Sequence, residues 1–208
     1  MIERLILIRH GETVDNVRGV AQGWSDSELS QQGQEQVDRV AQRLGAIGVG
    51  SLWSSTLPRA IATAEKIGRS IGLEPRLLDD LREMNCGDWE GLSFPELRRG
   101  DPETYRRWLS DPRQPCPGGE SYHDVLVRME RALETIRAEL DGHPSPVVIV
   151  SHGTAIRVLA TSLLGVPLAA ARNFAQDNAA VNAFERRADR WVLRVWNDTT
   201  HCGGPELE

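Results

Sequence analysis

Two short runs of uninterrupted apolar residues, each followed by a His-Gly pair, constrain this chain more than any other feature. Leu5-Ile6-Leu7-Ile8 leads into Arg9-His10-Gly11, and Val147-Val148-Ile149-Val150 leads into Ser151-His152-Gly153. Four successive branched aliphatic residues with no polar alternation fit a strand covered on both faces. Strands of that kind belong to mostly parallel sheets with helices on either side. Ligands of such sheets sit just beyond the carboxyl ends of the strands. Both histidines fall at that edge. The expected fold class is α/β, a three-layer α/β/α arrangement around a mostly parallel central sheet.

The remaining periodicity supplies the outer layers. Ser30 reads as an N-cap, followed by Val37, Val40, Leu44 and Ile47 at helical spacing, with Gly48 as the stop. Ser51 to Ser54 predicts a short strand. Pro58 to Ile71 predicts a helix with proline in its first turn and Gly72 beyond its end. Val125, Met129, Leu133, Ile136 and Leu140 form one apolar stripe in a helix over Ser121 to Leu140, and Thr154 to Leu164 predicts another. Ala180 to Phe184 and Trp191 to Trp196 read as two strands joined by the polar turn Arg186 to Asp189.

Residues 79–119 are less regular and hold five of the prolines, with short helices expected near Phe94 to Arg99 and Pro102 to Leu109. Their apolar content is too thin for a separate core, so they read as a cap inserted over the sheet edge. The organisation expected is one domain over residues 1–201 followed by a poorly ordered tail, 202–208.

Composition narrows the function classes. With 24 Lys and Arg against 30 Asp and Glu, the net charge is -6. The arginine pairs 98–99, 106–107 and 186–187 are interleaved with acids, so no nucleic-acid partner is expected. Three widely spaced cysteines, Cys86, Cys116 and Cys202, form no CxxC and no even framework. No signal-like start is read in Met1 to Ile8, and no apolar run reaches the roughly 18 residues of a membrane helix. The expected setting is cytoplasmic, without a membrane partner.

A single histidine at a strand end is more often structural than reactive. Two in matching contexts make a shared crevice the stronger reading. Arg9 beside His10 would compete with a metal cation, whereas a guanidinium pairs bidentately with phosphate oxygens. No HxH, HExxH or Asp/His cluster at ligand spacing is present, so neither a metal nor a cofactor is expected. Taken alone, Arg59 fits a simple ion pair and Asn16 a turn.

Arg9-His10-Gly11-Glu12-Thr13 with Asn16 resembles the signature of the histidine phosphatase superfamily, the phosphoglycerate-mutase-like proteins. Gln22-Gly23, Ser54 to Ala60, Leu81-Arg82-Glu83, Gly118 to Ser121 and Val150 to Gly153 resemble that family's later blocks, in order, over residues 4–157. The resemblance implies a phosphoglycerate-mutase-like fold and a phosphohistidine mechanism. His10 would be the nucleophile, Arg9 and Arg59 the phosphoryl clamp, and His152 a facing partner in the transition state. Asn16 and the Gly153 amide would add donors. Thr13, Gln22 and Gly23 would line the substrate mouth. Glu83 would be the general acid, a role that calls for partial burial.

Mutases of the family carry a Tyr-containing stretch after the acid and a longer insertion. Here Glu83 is followed by Met84 to Gly91 without tyrosine. The resemblance therefore points to the small-phosphatase branch, whose members act on phosphoserine, phosphoglycerate derivatives, α-ribazole phosphate or many monoesters. The expected partner is a small phosphorylated metabolite, with a homodimer as the assembly favoured by base rate. The alternatives are a phosphoglycerate mutase, a protein phosphatase, and a non-catalytic phospho-ligand binding module.

Overall fold

The computed structural model describes residues 2–140 and 146–203. The first two residues of the expected tail, Cys202 and Gly203, are placed; its remaining residues, 204–208, lie outside the described range. One six-stranded sheet, in the order β3-β2-β4-β1-β5-β6, forms the middle layer. The strands are β1 (Arg4–Arg9), β2 (Ser51–Ser54), β3 (Arg76–Leu77), β4 (Val147–Ser151), β5 (Val181–Arg187) and β6 (Arg190–Asp198). The first four pair in parallel, and the β5–β6 hairpin adds to β1 antiparallel.

Alternation along the buried strands separates the core into two halves. Leu5, Leu7, Val147, Ile149 and Trp53 face one side and pack with α6 (Tyr122–Glu139) and α7 (Gly153–Leu164) through Met129, Ile136, Ile156 and Leu159. Ile6, Ile8, Val148, Val150 and Leu52 face the other side. There they meet α2 (Gln31–Gly45) and α3 (Pro58–Ile71) through Val40, Leu44, Ala64 and Ile67. Every strand residue in these sets is buried. This is why β1 and β4 show continuous apolar runs: both faces are interior.

The irregular segment contains α4 (Phe94–Gly100) and α5 (Pro102–Ser110), each started by a side-chain cap from Ser93 or Asp101 with proline in the first turn. Met84, Trp89, Leu97, Trp108 and Cys116 belong to the same core cluster as β1 and α6, so the cap has no core of its own. Trp89, Tyr105, Trp108 and Tyr122 form a connected aromatic group, with ring centroids 5.3 to 6.0 Å apart.

Several boundaries differ from the sequence reading. The helix begun by Ser30 ends at Gly45, because Ile47 N–H turns back to Leu44 O and the Ile47 side chain, 39 % exposed, does not join the core. The C-terminal strands run longer than their apolar centres, and the turn between them shrinks to Ala188-Asp189, with Ala188 at φ 54°. A five-residue helix, α1 (Val14–Arg18), appears where none was expected. It is nucleated by a capping box: Thr13 Oγ1 accepts from Asn16 N–H while Asn16 Oδ1 accepts from Thr13 N–H.

Candidate active site

Strand register brings the two histidines together. β1 and β4 are paired so that Arg9 lies opposite Ser151, and His10 N–H continues the ladder by donating to Ser151 O at 3.0 Å. The next residue of each strand is a histidine, so the rings become neighbours, with centroids 5.0 Å apart and planes at 56°. On the far side of β4, Ser54 lies opposite Val150, which puts Ser55 beside Ser151, one residue before His152. Ser55 Oγ is 2.8 Å from His152 Nε2.

His10 is fixed by its other nitrogen. Nδ1 is 2.8 Å from the Gly11 carbonyl, which can only accept, so Nδ1 carries the proton and Nε2 keeps its lone pair. Burial pushes the His10 pKa well below its ordinary value, and the Arg59 and Arg9 guanidiniums push it the same way. The ring is therefore neutral at pH 7 and nucleophilic at Nε2. His152 is held neutral by the same causes, burial first and then Arg59.

A cavity of about 250 Å³ opens at this edge, lined by His10, Arg9, Arg59, Asn16, Gln22, Gly23, Glu83 and Gly153 among others. Arg59 is 2 % exposed and is anchored through Nη1 to Ser25 O and Nη2 to Gly23 O, while its Nε is buried without a partner. Arg9 donates through Nη1 to Gln176 O, and its Nε is also buried without a partner. Burial lowers both pKa values, that of Arg9 to about 10, so both stay cationic at neutral pH. Unpartnered N–H groups on two buried cations are ready-made donors for an anion.

Asn16 is oriented by its neighbours. Its Oδ1 accepts from Thr13 N–H at 3.1 Å and from Asn178 Nδ2 at 3.0 Å, which leaves its own Nδ2 for the cavity. Glu83 is half-buried. Its Oε1 accepts from Met84 N–H and its Oε2 from Thr154 N–H at 3.0 Å, so it sits on the N-terminus of α7 beside Gly153.

Two predicted residues are placed differently from the rest. Thr13 does not line the cavity: it is buried, capping α1 and accepting from Gln22 Nε2 at 2.8 Å. His152 also lies outside the lining, behind His10, with Nδ1 buried and unpartnered.

Other lining residues were not anticipated. Arg157 sits one turn into α7, with Nε 3.2 Å from Gly153 O, and adds a third guanidinium to the cavity. Gln176 lines it with both side-chain polar atoms unpartnered. Met84, Trp89, Phe94, Leu97, Trp108 and Tyr122 form an apolar wall. Arg157 was legible only as the residue five positions after His152, one helical turn beyond Gly153 on the same α7 face.

The profile of the histidine phosphatase superfamily (branch 1) matches residues 5–199. The chain belongs to this superfamily. It is 34% identical over 201 residues to phosphoserine phosphatase 1 of Hydrogenobacter thermophilus, covering 96% of this chain and 94% of that protein. It is likewise 34% identical over 213 residues to a probable phosphoglycerate mutase of Cronobacter sakazakii, covering 99% and 97%. Among solved structures, the mycobacterial glucosyl-3-phosphoglycerate phosphatase in complex with VO3 superposes with a TM-score of 0.86 at 36% identity, over 94% of this chain and 98% of that one. The phosphoglycerate-mutase-like fold expected from the histidine blocks is thus the fold of this superfamily member. Among the described residues no group of His, Cys, Asp and Glu is arranged to hold a metal ion, and no helix is long and apolar enough to cross a membrane.

Proposed function

We propose that this superfamily member is a metal-independent phosphatase that hydrolyses a small-metabolite phosphate monoester through a phosphohistidine. The observation that carries the reading is the neutral His10 ring, with Nε2 free, in one cavity with Arg9, Arg59 and Glu83. His10 Nε2 donates its lone pair to phosphorus and the P–O bond to the leaving group breaks. The proton of Glu83 goes to the departing oxygen. Water then attacks phosphorus, Glu83 takes its proton, and the N–P bond breaks to give inorganic phosphate and free His10. Arg9, Arg59 and Asn16 Nδ2 supply the fixed donors around the anionic phosphoryl group. Gln22, Gly23 and Gly153 shape its surroundings, and His152 supports the nucleophile from behind.

The lining suits a leaving group that is small and itself anionic. Arg157 adds a third guanidinium to Arg9 and Arg59, and the apolar wall lines the same cavity. Phosphoserine and phosphoglycerate derivatives, named for the relatives above, have that character. Hydrolysis is favoured over phosphoryl return because the stretch from Met84 to Gly91 carries no tyrosine and no long insertion. Within this reading residues 1–201 form one domain with 79–119 as its cap, and the free thiols of Cys86, Cys116 and Cys202 suit a cytoplasmic setting.

The test is a panel of phosphorylated metabolites assayed in excess EDTA with product analysis. Inorganic phosphate released at undiminished rate is the expected result. Activity lost to chelator and restored by a divalent metal, or phosphoryl transfer to a second hydroxyl of the product, would overturn the reading.

A further inference from the structure

Arg128 projects from α6 into the protein, away from the cavity, and is 7 % exposed. A buried cation is retained only where its donors are satisfied, and here every contact falls on one short stretch of chain and its anchor. Nη1 donates to Asp80 O at 3.0 Å and to Arg82 O at 2.6 Å, and Nη2 donates to Glu83 O at 2.8 Å. Nε and Nη2 also meet the two carboxylate oxygens of Glu120 at 2.8 and 2.9 Å. Glu120 in turn grips the same stretch from its other end. Its Oε2 accepts from Asn85 N–H at 2.8 Å and its own N–H donates to Asn85 O at 2.9 Å. The Glu83 carbonyl receives one further donor, Trp24 Nε1, at 2.7 Å.

The backbone from residue 80 to residue 85 is therefore clamped on both sides of Glu83, by a pair that touches neither the cavity nor the phosphoryl clamp. We infer that the Arg128–Glu120 pair is a positioning device for the Glu83 carboxyl, setting the reach of the general acid towards the leaving-group oxygen. This rests on the reading of Glu83 as the acid. Only a planar fork with donors on both edges can hold a carboxylate and three carbonyls at once, so lysine cannot replace it. A displacement of about 1 Å in an acid matters chiefly for leaving groups that need a proton.

The test compares the full-length protein with Arg128→Lys and Glu120→Gln on two probes, glycerol 2-phosphate and p-nitrophenyl phosphate. The quantity read is kcat/KM, which reports through the first phosphoryl transfer. Glycerol 2-phosphate, with its poor alkoxide leaving group, is expected to lose about tenfold or more, and p-nitrophenyl phosphate less than about threefold. Glu120→Gln keeps the shape and the Asn85 contact, so it carries the test if Arg128→Lys does not fold. Equal losses on both probes, or no loss on either, would mean that the pair serves the core alone, and the inference fails. Glu83→Gln is measured alongside. If it shows the asymmetry and the clamp variants do not, only the positioning role is lost. If Glu83→Gln slows both probes equally, the acid assignment falls and the inference with it.

Discussion

The imidazoles of His10 and His152 lie 5.0 Å apart with their planes tilted by 56°, yet each hydrogen-bonds away from the other, His10 to Gly11 O and His152 to Ser55 Oγ. Neither ring can take a second proton cheaply at that separation, in a buried site that also holds Arg9 and Arg59. The consequence is a pH-dependent stability whose sign can be worked out. In the unfolded chain a histidine binds its proton near 6.5, while in the folded state both rings bind it only well below. Between those values the unfolded chain holds more protons. Stability is therefore complete above about 6.5 and falls as the pH drops, by up to about 1.4 kcal/mol per histidine per pH unit. His201, lowered chiefly by burial, adds to the same trend. Urea unfolding at pH 7.5 and 5.5 checks this: the midpoint should drop at pH 5.5, and His10→Asn should flatten the difference. A protein more stable at the lower pH would contradict the neutral pair.

Removal of the nucleophile gives a second prediction. His10→Ala should abolish turnover and, with it, the acid-labile phosphoenzyme trapped by rapid quench from labelled substrate. The Gly11 carbonyl loses its donor, but the ring that is removed lines the cavity, so water can enter the space it leaves. The stability cost should thus stay within about 3 kcal/mol of the parent. A labelled enzyme surviving the substitution would place the phosphoryl acceptor on another side chain.

Gly33 tests how the nucleophile loop is seated. It lies in the first turn of α2, and a Cβ there would stand 1.9 Å from the Glu12 carbonyl oxygen, a backbone atom two residues after His10. The neighbouring Gly11 is similarly tight, with a Cβ falling 2.7 Å from Gly33 O. The loop and the helix start therefore touch main chain to main chain. Gly33→Ala should cost about 3 kcal/mol or more, beyond ordinary overpacking, and should lower kcat in whatever fraction remains folded. Thermal melts together with active-site titration of the soluble enzyme measure both effects, and an alanine variant with native melting and native kcat would refute the close approach.

How much of this was legible before any coordinates follows from where the information resides. Strand-end histidines are readable because a doubly covered strand shows itself as an unbroken apolar run, and the register Arg9 to Ser151 then makes His10 and His152 adjacent. The Pro58 to Ile71 helix was readable from its own punctuation, proline at one end and Gly72 at φ 71° at the other. Thr13 was misplaced because a hydroxyl beside a phosphate motif looks like a ligand, whereas its position as N-cap depends on Asn16 three residues later. Arg128 and Arg157 were passed over for a different reason. Each is one arginine on an amphipathic helix, and whether it points into the cavity, into the core or into water depends on how α6 and α7 roll against the cap. That rotation is decided by packing of Trp108, Tyr122 and Met129, not by local sequence.

Arg157 supplies the last prediction, because its position separates substrate classes. It lines the cavity from α7, tethered by Nε to Gly153 O at 3.2 Å and by Nη2 to Thr154 Oγ1 at 3.3 Å, both weak enough to yield to a stronger acceptor. A second cation, Arg172, lies across the Tyr122 ring at 4.3 Å from its centroid and reinforces the positive potential at that end. Among the described residues the only carboxylate lining the cavity is Glu83, and the lining cations are Arg9, Arg59 and Arg157. Arg9, Arg59 and Arg157 bring three positive charges to a substrate whose phosphoryl group brings two negative ones. A carboxylate on the leaving group completes the match. Arg157→Met should therefore raise KM for O-phosphoserine or 3-phosphoglycerate by about 10- to 100-fold, the 1.5–3 kcal/mol of a hydrogen bond to a charged group. It should change p-nitrophenyl phosphate, which has no such anion, by less than about threefold. Increasing salt should weaken the parent's preference for the carboxylated substrate and leave the variant's unchanged. Equal KM increases for all three substrates would show that Arg157 holds the phosphoryl group itself.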